Sequence, residues 1–197
     1  MFSTYDKNYW QERYTNHDFP WDLGRVSIPI KEYVDQLKNK QIAILIPGAG
    51  LGHEAAYLYD KGFRNVTIIE WCEWAVSQIL EKYPQIPQHK IFNSDFFEHA
   101  GKYDLIMEQT FFCALPPSMR STYVQRVHEL LKVGGKLVGV WFNFPLTKQG
   151  PPYGGSLEEY QKLFEKKFDI LKLEKCYNSV PERKDKEFFI IARKKIT

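Results

Sequence analysis

The chain has 197 residues, enough for one sizeable hydrophobic core and too few for two full domains. Apolar residues make up 44% and charged residues 26%, an ordinary balance for a soluble globular protein. A formal net charge of +3 is too mild for the basic stripe that nucleic-acid binding needs.

The opening residues, MFSTYDKNYW, lack the basic start and apolar stretch of a signal peptide, and no apolar run approaches membrane-spanning length. Cys72, Cys113 and Cys176 are far apart, with no C-x-x-C spacing, and His17, His89, His99 and His128 show no metal-ligand spacing. A cytoplasmic protein with reduced thiols is expected, with no metal, no membrane contact and no nucleic-acid partner.

Residues 1–40 look helical and aromatic, with Tyr5, Tyr9, Trp10, Tyr14, Phe19 and Trp21 crowded together. Residues 42–46 are a short apolar run that stops at Pro47-Gly48, as a buried strand does. Residues 53–61 set Ala55, Ala56 and Leu58 on one helical face and close at Gly62. A β-branched run covers 66–69, and 74–83 reads as a helix cut by Pro84. Short strands are predicted at 90–92 and 103–107. A long amphipathic helix follows over 119–132, ends at Gly134-Gly135, and leads to a fifth strand at 137–142. A helix over 157–168, a strand-like stretch over 170–176 and a final run at 188–192 complete the order.

This alternation implies parallel strands with helices on both faces, and right-handed crossovers wind it doubly. The last strand lacks a crossover helix and is expected to be antiparallel. The fold class is therefore α/β: a Rossmann-like, doubly wound, mostly parallel seven-stranded sheet with an antiparallel last strand. All of 1–197 reads as one domain, with 1–40 as a cap over the carboxyl ends of the strands and 41–197 as the core.

The stretch "LIPGAGLGHEAAYLYDKGFRNVTIIE" (45–70) places Gly48, Gly50 and Gly52 between a strand and a helix, and Glu70 at the end of the next strand. Glycine permits a tight turn and close approach of a ligand to the backbone. The following helix starts with free N–H groups facing the cleft. Glu70 is placed to accept hydrogen bonds from both hydroxyls of a ribose. Dinucleotide enzymes favour G-x-G-x-x-G, whereas the spacing here is G-x-G-x-G with His53 at the final position. The chain also leaves no room for the second half-sheet of a typical dehydrogenase. It offers instead "NSDFFEH", where Asp95 can bind an adenine amino group and Phe96 stack on its ring. Together with "HELLKVGGKLVGVWF" these features resemble the S-adenosylmethionine-dependent methyltransferases.

Further motifs narrow the resemblance: "FPWDLGR" (19–25), "SDFFEH" (94–99), "KYDLIMEQTFFCALPPSMRSTYVQRVHELLKVGGKL" (102–137), "GPPY" (150–153) and "PERKDKE" (181–187). From about Trp10 to Glu187 the chain is similar to the thiopurine S-methyltransferase family, most of all to its plant-type thiol and halide methyltransferase branch. The resemblance implies that Trp10 and Trp21 line the S-adenosylmethionine site, with Gly48 at the methionine part. It puts Glu70 at the ribose, Asp95 with Phe96 at the adenine, and Gln109 beside the cofactor after the fourth strand. Tyr153, Arg120 and Arg183 fall where members line the small acceptor pocket. Tyr14, Glu70 and Gln109 stand where that branch tends to have tryptophan, aspartate and tyrosine.

The chemistry suits such residues. A tryptophan face attracts a sulfonium cation, and an N-terminal lid excludes water. Transfer to sulfur or halide is an in-line displacement that needs alignment more than acid–base machinery. A cationic pocket, from Arg120 and Arg183, favours thiolate over thiol, with Tyr153 orienting the nucleophile. Cys113, with no base beside it, reads as packed and inert. The expected function is methyl transfer from S-adenosylmethionine to a small sulfur, selenium or halide acceptor by a monomer. The rivals are an O- or N-methyltransferase, a non-catalytic nucleoside-binding protein and a nicotinamide enzyme.

Overall fold

The first two strands, β1 (Ile44–Pro47) and β2 (Val66–Ile69), are buried at every position, as parallel strands covered on both faces must be. A computed structural model describes residues 6–146 and 149–196; Tyr5, counted in the aromatic cap, lies outside the described residues. The remaining strands are β3 (Ile91–Phe92), β4 (Tyr103–Gln109), β5 (Leu131–Phe142), β6 (Phe168–Lys175) and β7 (Glu187–Lys194). They form a seven-stranded sheet in the order β3-β2-β1-β4-β5-β7-β6. β1 to β5 pair in parallel, and β7 inserts antiparallel between β5 and β6. The expected antiparallel last strand is present, in the sheet's interior, with β6 at the edge.

Among the described residues, seven α-helices accompany the strands: α1 (Lys7–Thr15), α2 (Ile28–Asp35), α3 (His53–Asp60), α4 (Glu73–Lys82), α5 (Phe111–Ala114), α6 (Arg120–Leu130) and α7 (Leu157–Phe164). Alternate residues of β1 enter opposite cores. Leu45 joins Ile106, Phe112, Tyr123 and Trp141 on the face covered by α6 and α7. Ile44 and Ile46 join Ile30, Val34, Leu58 and Ile68 beneath α2 and α3. Each fully buried side chain of this size contributes about 1.5–3 kcal/mol. In α6, Tyr123, Val127 and Leu130 share the buried stripe that its amphipathic pattern implies.

Several boundaries differ from expectation: the helix expected over 157–168 ends at Phe164, and β6 already begins at Phe168. α6 stops at Leu130, and the chain continues straight into β5 rather than turning first. Gly134, at φ +72°, lies inside that strand, where the pairing with β4 slips between Tyr103 and Leu105. The glycine pair makes an irregularity in the strand, not its start. α5, a single turn, was invisible to periodicity because four residues show none.

The N-terminal segment is helical and aromatic, as expected. Asp6 caps α1 by accepting from Tyr9 N at 3.0 Å. The helix docks on α4: Gln11 Oε1 accepts from Cys72 Sγ at 2.9 Å, and Lys7 pairs with Glu73 at 2.6 Å. Tyr14, Cys72 and Ala75 form a small core there with Phe19, Trp21 and Trp74 packed against it. Among the described residues, no helix is long and apolar enough to cross a membrane.

Candidate active site

A cavity of about 670 Å³ opens at the carboxyl ends of the central strands, beneath the N-terminal segment. Ligands of open α/β sheets bind at this edge, where strand order reverses. Gly48 and Gly50 line it, both at φ +56°. A side chain at Gly48 would collide with the Phe111 ring, and one at Gly50 would meet the Tyr14 hydroxyl at 3.0 Å. Gly52, at φ +78°, does not line the cavity. A Cβ there would stand 2.9 Å from Ile79, so this glycine serves the approach of α3 to α4.

Glu70 follows β2 and lies between the glycine loop and α4. Its Oε2 accepts from Gly50 N at 2.7 Å and its Oε1 from Cys72 N at 2.9 Å. Burial pushes its carboxyl up to about 7, with these N–H donors offsetting only part of the cost. Asp95 lines the cavity with its Oδ1 accepting from Phe97 N at 2.8 Å. Phe96 is buried beside it, edge-on to Phe111 at 5.4 Å. Gln109, the last residue of β4, also lines the cavity, and its Nε2 is buried without a hydrogen-bond partner. Thr110 then turns the chain at φ +60°, a left-handed conformation that costs a β-branched residue about 1–3 kcal/mol.

Trp10 and Trp21 roof the cavity edge to face, with centroids 5.5 Å apart. Trp21 is held from several sides. Its Nε1 donates to Tyr14 Oη at 3.2 Å, and its carbonyl accepts from Arg183 Nη2 at 2.6 Å. The Arg13 guanidinium sits 4.9 Å from the indole centroid. The next residue, Asp22, lies 2.8 Å from His53 Nε2, and His53 Nδ1 is 2.9 Å from Tyr83 Oη. Burial opposes ionisation of Asp22, but the hydrogen bond and charge of His53 outweigh it and hold its carboxyl low. Burial pushes the Tyr14 hydroxyl well up, with the Glu70 charge adding to it.

The three residues expected around the acceptor separate. Arg183 lines the cavity, 5.5 Å from the Phe142 ring, with Nη1 3.3 Å from Glu187. Arg120 does not line it. Its Nη1 pairs with Glu159 at 2.6 Å and its Nη2 donates to Gly154 O at 2.7 Å. Tyr153 is buried next to the cavity rather than in its wall, and its N–H donates to Cys113 O at 2.7 Å. Pro151 and Pro152 of the same segment line the cavity instead. Cys113 is buried, and burial pushes its thiol far above its ordinary range. Sequence reading missed Arg13, Asp22 and Phe111. It also missed Glu108, a buried acid inside the apolar run of β4, which was the one visible signal.

The thiopurine S-methyltransferase (TPMT) family model matches residues 5–195. The chain belongs to the thiopurine S-methyltransferase family. Among its relatives, "Probable thiol methyltransferase 2" of Arabidopsis thaliana is 34% identical over 159 residues, covering 78% of this chain and 70% of that protein. "Thiocyanate methyltransferase 1" of the same plant is 29% identical over 195 residues, covering 95% and 85%. A thiopurine S-methyltransferase of Vibrio parahaemolyticus is 25% identical over 177 residues, covering 81% and 82%. Among solved structures, 1,6-didemethyltoxoflavin-N1-methyltransferase of Burkholderia thailandensis superposes with a TM-score of 0.77. It is 18% identical, and the match covers 96% of this chain and 87% of that one, which shows a shared fold.

Membership makes this protein an S-adenosylmethionine-dependent methyltransferase, and the site of this family member fits that cofactor. Gly48 and Gly50 line the cavity without side chains, an acid stands at Glu70 with Gly50 N on its Oε2, and Gln109 Nε2 is buried without a hydrogen-bond partner. Among the described residues, no group of three or more His, Cys, Asp or Glu is placed to hold a metal ion.

Proposed function

We propose that this methyltransferase acts on a small sulfur, selenium or halide nucleophile such as a thiol, sulfide, thiocyanate or iodide. The observation that carries this reading is the make-up of the cavity's far end. There Leu115, Phe142, Pro151 and Pro152 are apolar, and Arg183 and Lys186 supply positive charge beside one carboxylate, Glu182. No histidine stands among them. The relatives named for thiol and thiocyanate acceptors support the same class.

When bound, the cofactor supplies an electrophilic methyl group on a sulfonium. Glu70 would take the ribose hydroxyls on the lone pairs left by Gly50 N and Cys72 N, and Asp95 with Phe96 would hold the adenine. Gly48 and Gly50 let the methionine part lie against the backbone, with Gln109 donating from the fourth strand. Trp10 and Trp21 close the roof, exclude water and offer aromatic faces to the cation.

At the acceptor end little proton chemistry is needed. A thiol with a reference pKa of about 8.5 is a few per cent ionised at neutral pH, and halides or thiocyanate need no deprotonation. The positive charge of Arg183 and Lys186 favours the anionic nucleophile. Arg120 and Tyr153 act from outside the wall. Arg120 ties Glu159 on α7 to the carbonyl of Gly154, and so holds the 150–155 segment that presents Pro151 and Pro152. We place the protein in the cytoplasm as a monomer acting on a free small molecule. Three buried free thiols and the mild net charge support that placement.

The test is incubation with S-adenosylmethionine and iodide, thiocyanate, hydrogen sulfide or an aromatic thiol, with detection of the methylated product. Tight binding of S-adenosylhomocysteine with no product from any of these acceptors would remove the acceptor reading.

A further inference from the structure

Glu108 is buried in the sheet and makes none of the ligand contacts proposed above. β4 and β5 pair so that Glu108 stands opposite Gly139. The missing side chain leaves the space: a Cβ on Gly139 would lie 3.2 Å from Glu108 Oε1 and 2.8 Å from Trp141 Nε1. In that space the Trp141 indole N–H donates to Glu108 Oε1. Oε2 accepts from Phe111 N at 2.8 Å and from Phe112 N at 3.4 Å. One carboxylate thus joins β5 to the start of the turn after β4.

That turn is strained. Thr110 is in the left-handed region, with its N–H on Val140 O at 3.0 Å. Such a conformation persists only where the surroundings over-determine it. Phe111, the next residue, carries the constraint into the cavity, because its ring fills the place a side chain on Gly48 would need. A buried carboxylate is costly to desolvate, and an apolar residue would serve the strand better.

We propose that Glu108 is a positioning residue: by fixing the 109–112 turn it braces Phe111 against Gly48 and sets the shape of the cofactor cradle. This rests on the reading of Gly48 and Gly50 as part of the cofactor site.

Glu108→Gln tests it, read by calorimetric titration with S-adenosylhomocysteine. A glutamine has one acceptor for two sets of donors. Its amide nitrogen must face either the Trp141 N–H or the Phe111 N–H, and the turn shifts. Affinity is expected to fall roughly tenfold, the size of one lost charge-assisted hydrogen bond. Trp141→Phe removes the competing donor, so the double variant Glu108→Gln/Trp141→Phe is expected to recover most of the affinity. A merely structural role predicts that the double variant binds no better than the single one. Wild-type affinity in Glu108→Gln, or no recovery in the double variant, overturns the proposal. Should Glu108→Gln fail to fold, Phe111→Leu shortens the brace with the carboxylate intact; unchanged affinity there overturns the proposal, and a loss supports it. The readout is binding, so a wild type that binds S-adenosylhomocysteine but methylates no sulfur or halide acceptor removes the acceptor reading alone.

Discussion

The Glu70 carboxylate should couple cofactor binding to proton release near neutrality. Burial raises its carboxyl from an ordinary 4.5 to about 7. At about 1.4 kcal/mol per pH unit, ionising it in the empty fold costs about 3 kcal/mol. The sign follows from linkage. The unfolded chain gives up this proton first, so the group's contribution to stability is greatest below about pH 4.5 and falls as pH rises towards 7. A ligand whose two ribose hydroxyls donate to Glu70 favours the ionised form and pulls its titration back down. Affinity for S-adenosylhomocysteine should then be about tenfold weaker at pH 6 than at pH 8, with nearly one proton released per ligand at pH 6. Calorimetry in buffers of different ionisation enthalpy measures both quantities. Glu108 is also pushed up to about 7, so Glu70→Gln is the control: it should weaken binding and flatten the pH dependence. Constant affinity from pH 6 to pH 8 with no proton release would refute the reasoning.

Gly48→Ala puts a methyl group into the Phe111 ring at a left-handed φ; it should lower thermal stability by about 1–3 kcal/mol and weaken S-adenosylhomocysteine binding in the same titration. Arg120→Ala breaks the half-buried pair with Glu159 and the buried bond to Gly154 O; denaturant melts should show a loss of about 1.5–3 kcal/mol with cofactor affinity near wild type. Arg183→Ala releases the Trp21 carbonyl and removes a cation from the cavity; the acceptor KM should rise several-fold, most for anionic acceptors, in steady-state assays. Gly139→Ala pushes the Glu108–Trp141 pair apart; thermal melts should report a cost of about 1–3 kcal/mol.

The legible part of the site is the part made by local sequence. Gly48, Gly50, Glu70, Asp95 and Phe96 each follow a strand whose apolar run could be read and Gln109 ends one, and they meet in one cavity because parallel strands end at one edge. Gly52 shares their spacing, yet only the packing of Ile79 reveals that it faces α4. Arg120 and Tyr153 were placed by resemblance, which gives a position in the chain and no pairing. The partner of Arg120, Glu159, is 39 residues away with no pattern linking the two. The slip in β5 was equally hidden, since Gly134-Gly135 reads the same in a turn and in a bulged strand.

Strand order also divides the labour of the cavity. β3, β2 and β1 lead into Asp95, Glu70 and Gly48, groups suited to a nucleoside, while β5 and the approach to β7 bring Phe142, Arg183 and Lys186 to the other end. β4 lies between them, so the Gln109–Phe111 turn belongs to both halves, and Glu108 beneath it is placed to keep them in register. Trp21 does the same from above, tied to Arg183 by its carbonyl and to Tyr14, beside Gly50, by its indole. Changes in the 150–155 and 181–186 segments can therefore reshape the acceptor end without moving the glycine loop. Changes at Glu108, Phe111 or Trp21 disturb both ends together. On this division, variants at Lys186, which lines the cavity with its side chain on Glu182 O, should shift acceptor preference at constant S-adenosylhomocysteine affinity, whereas variants at Trp21 should lower both. Equal effects of the two on cofactor binding would mean that the cavity works as one site, with no separate acceptor end.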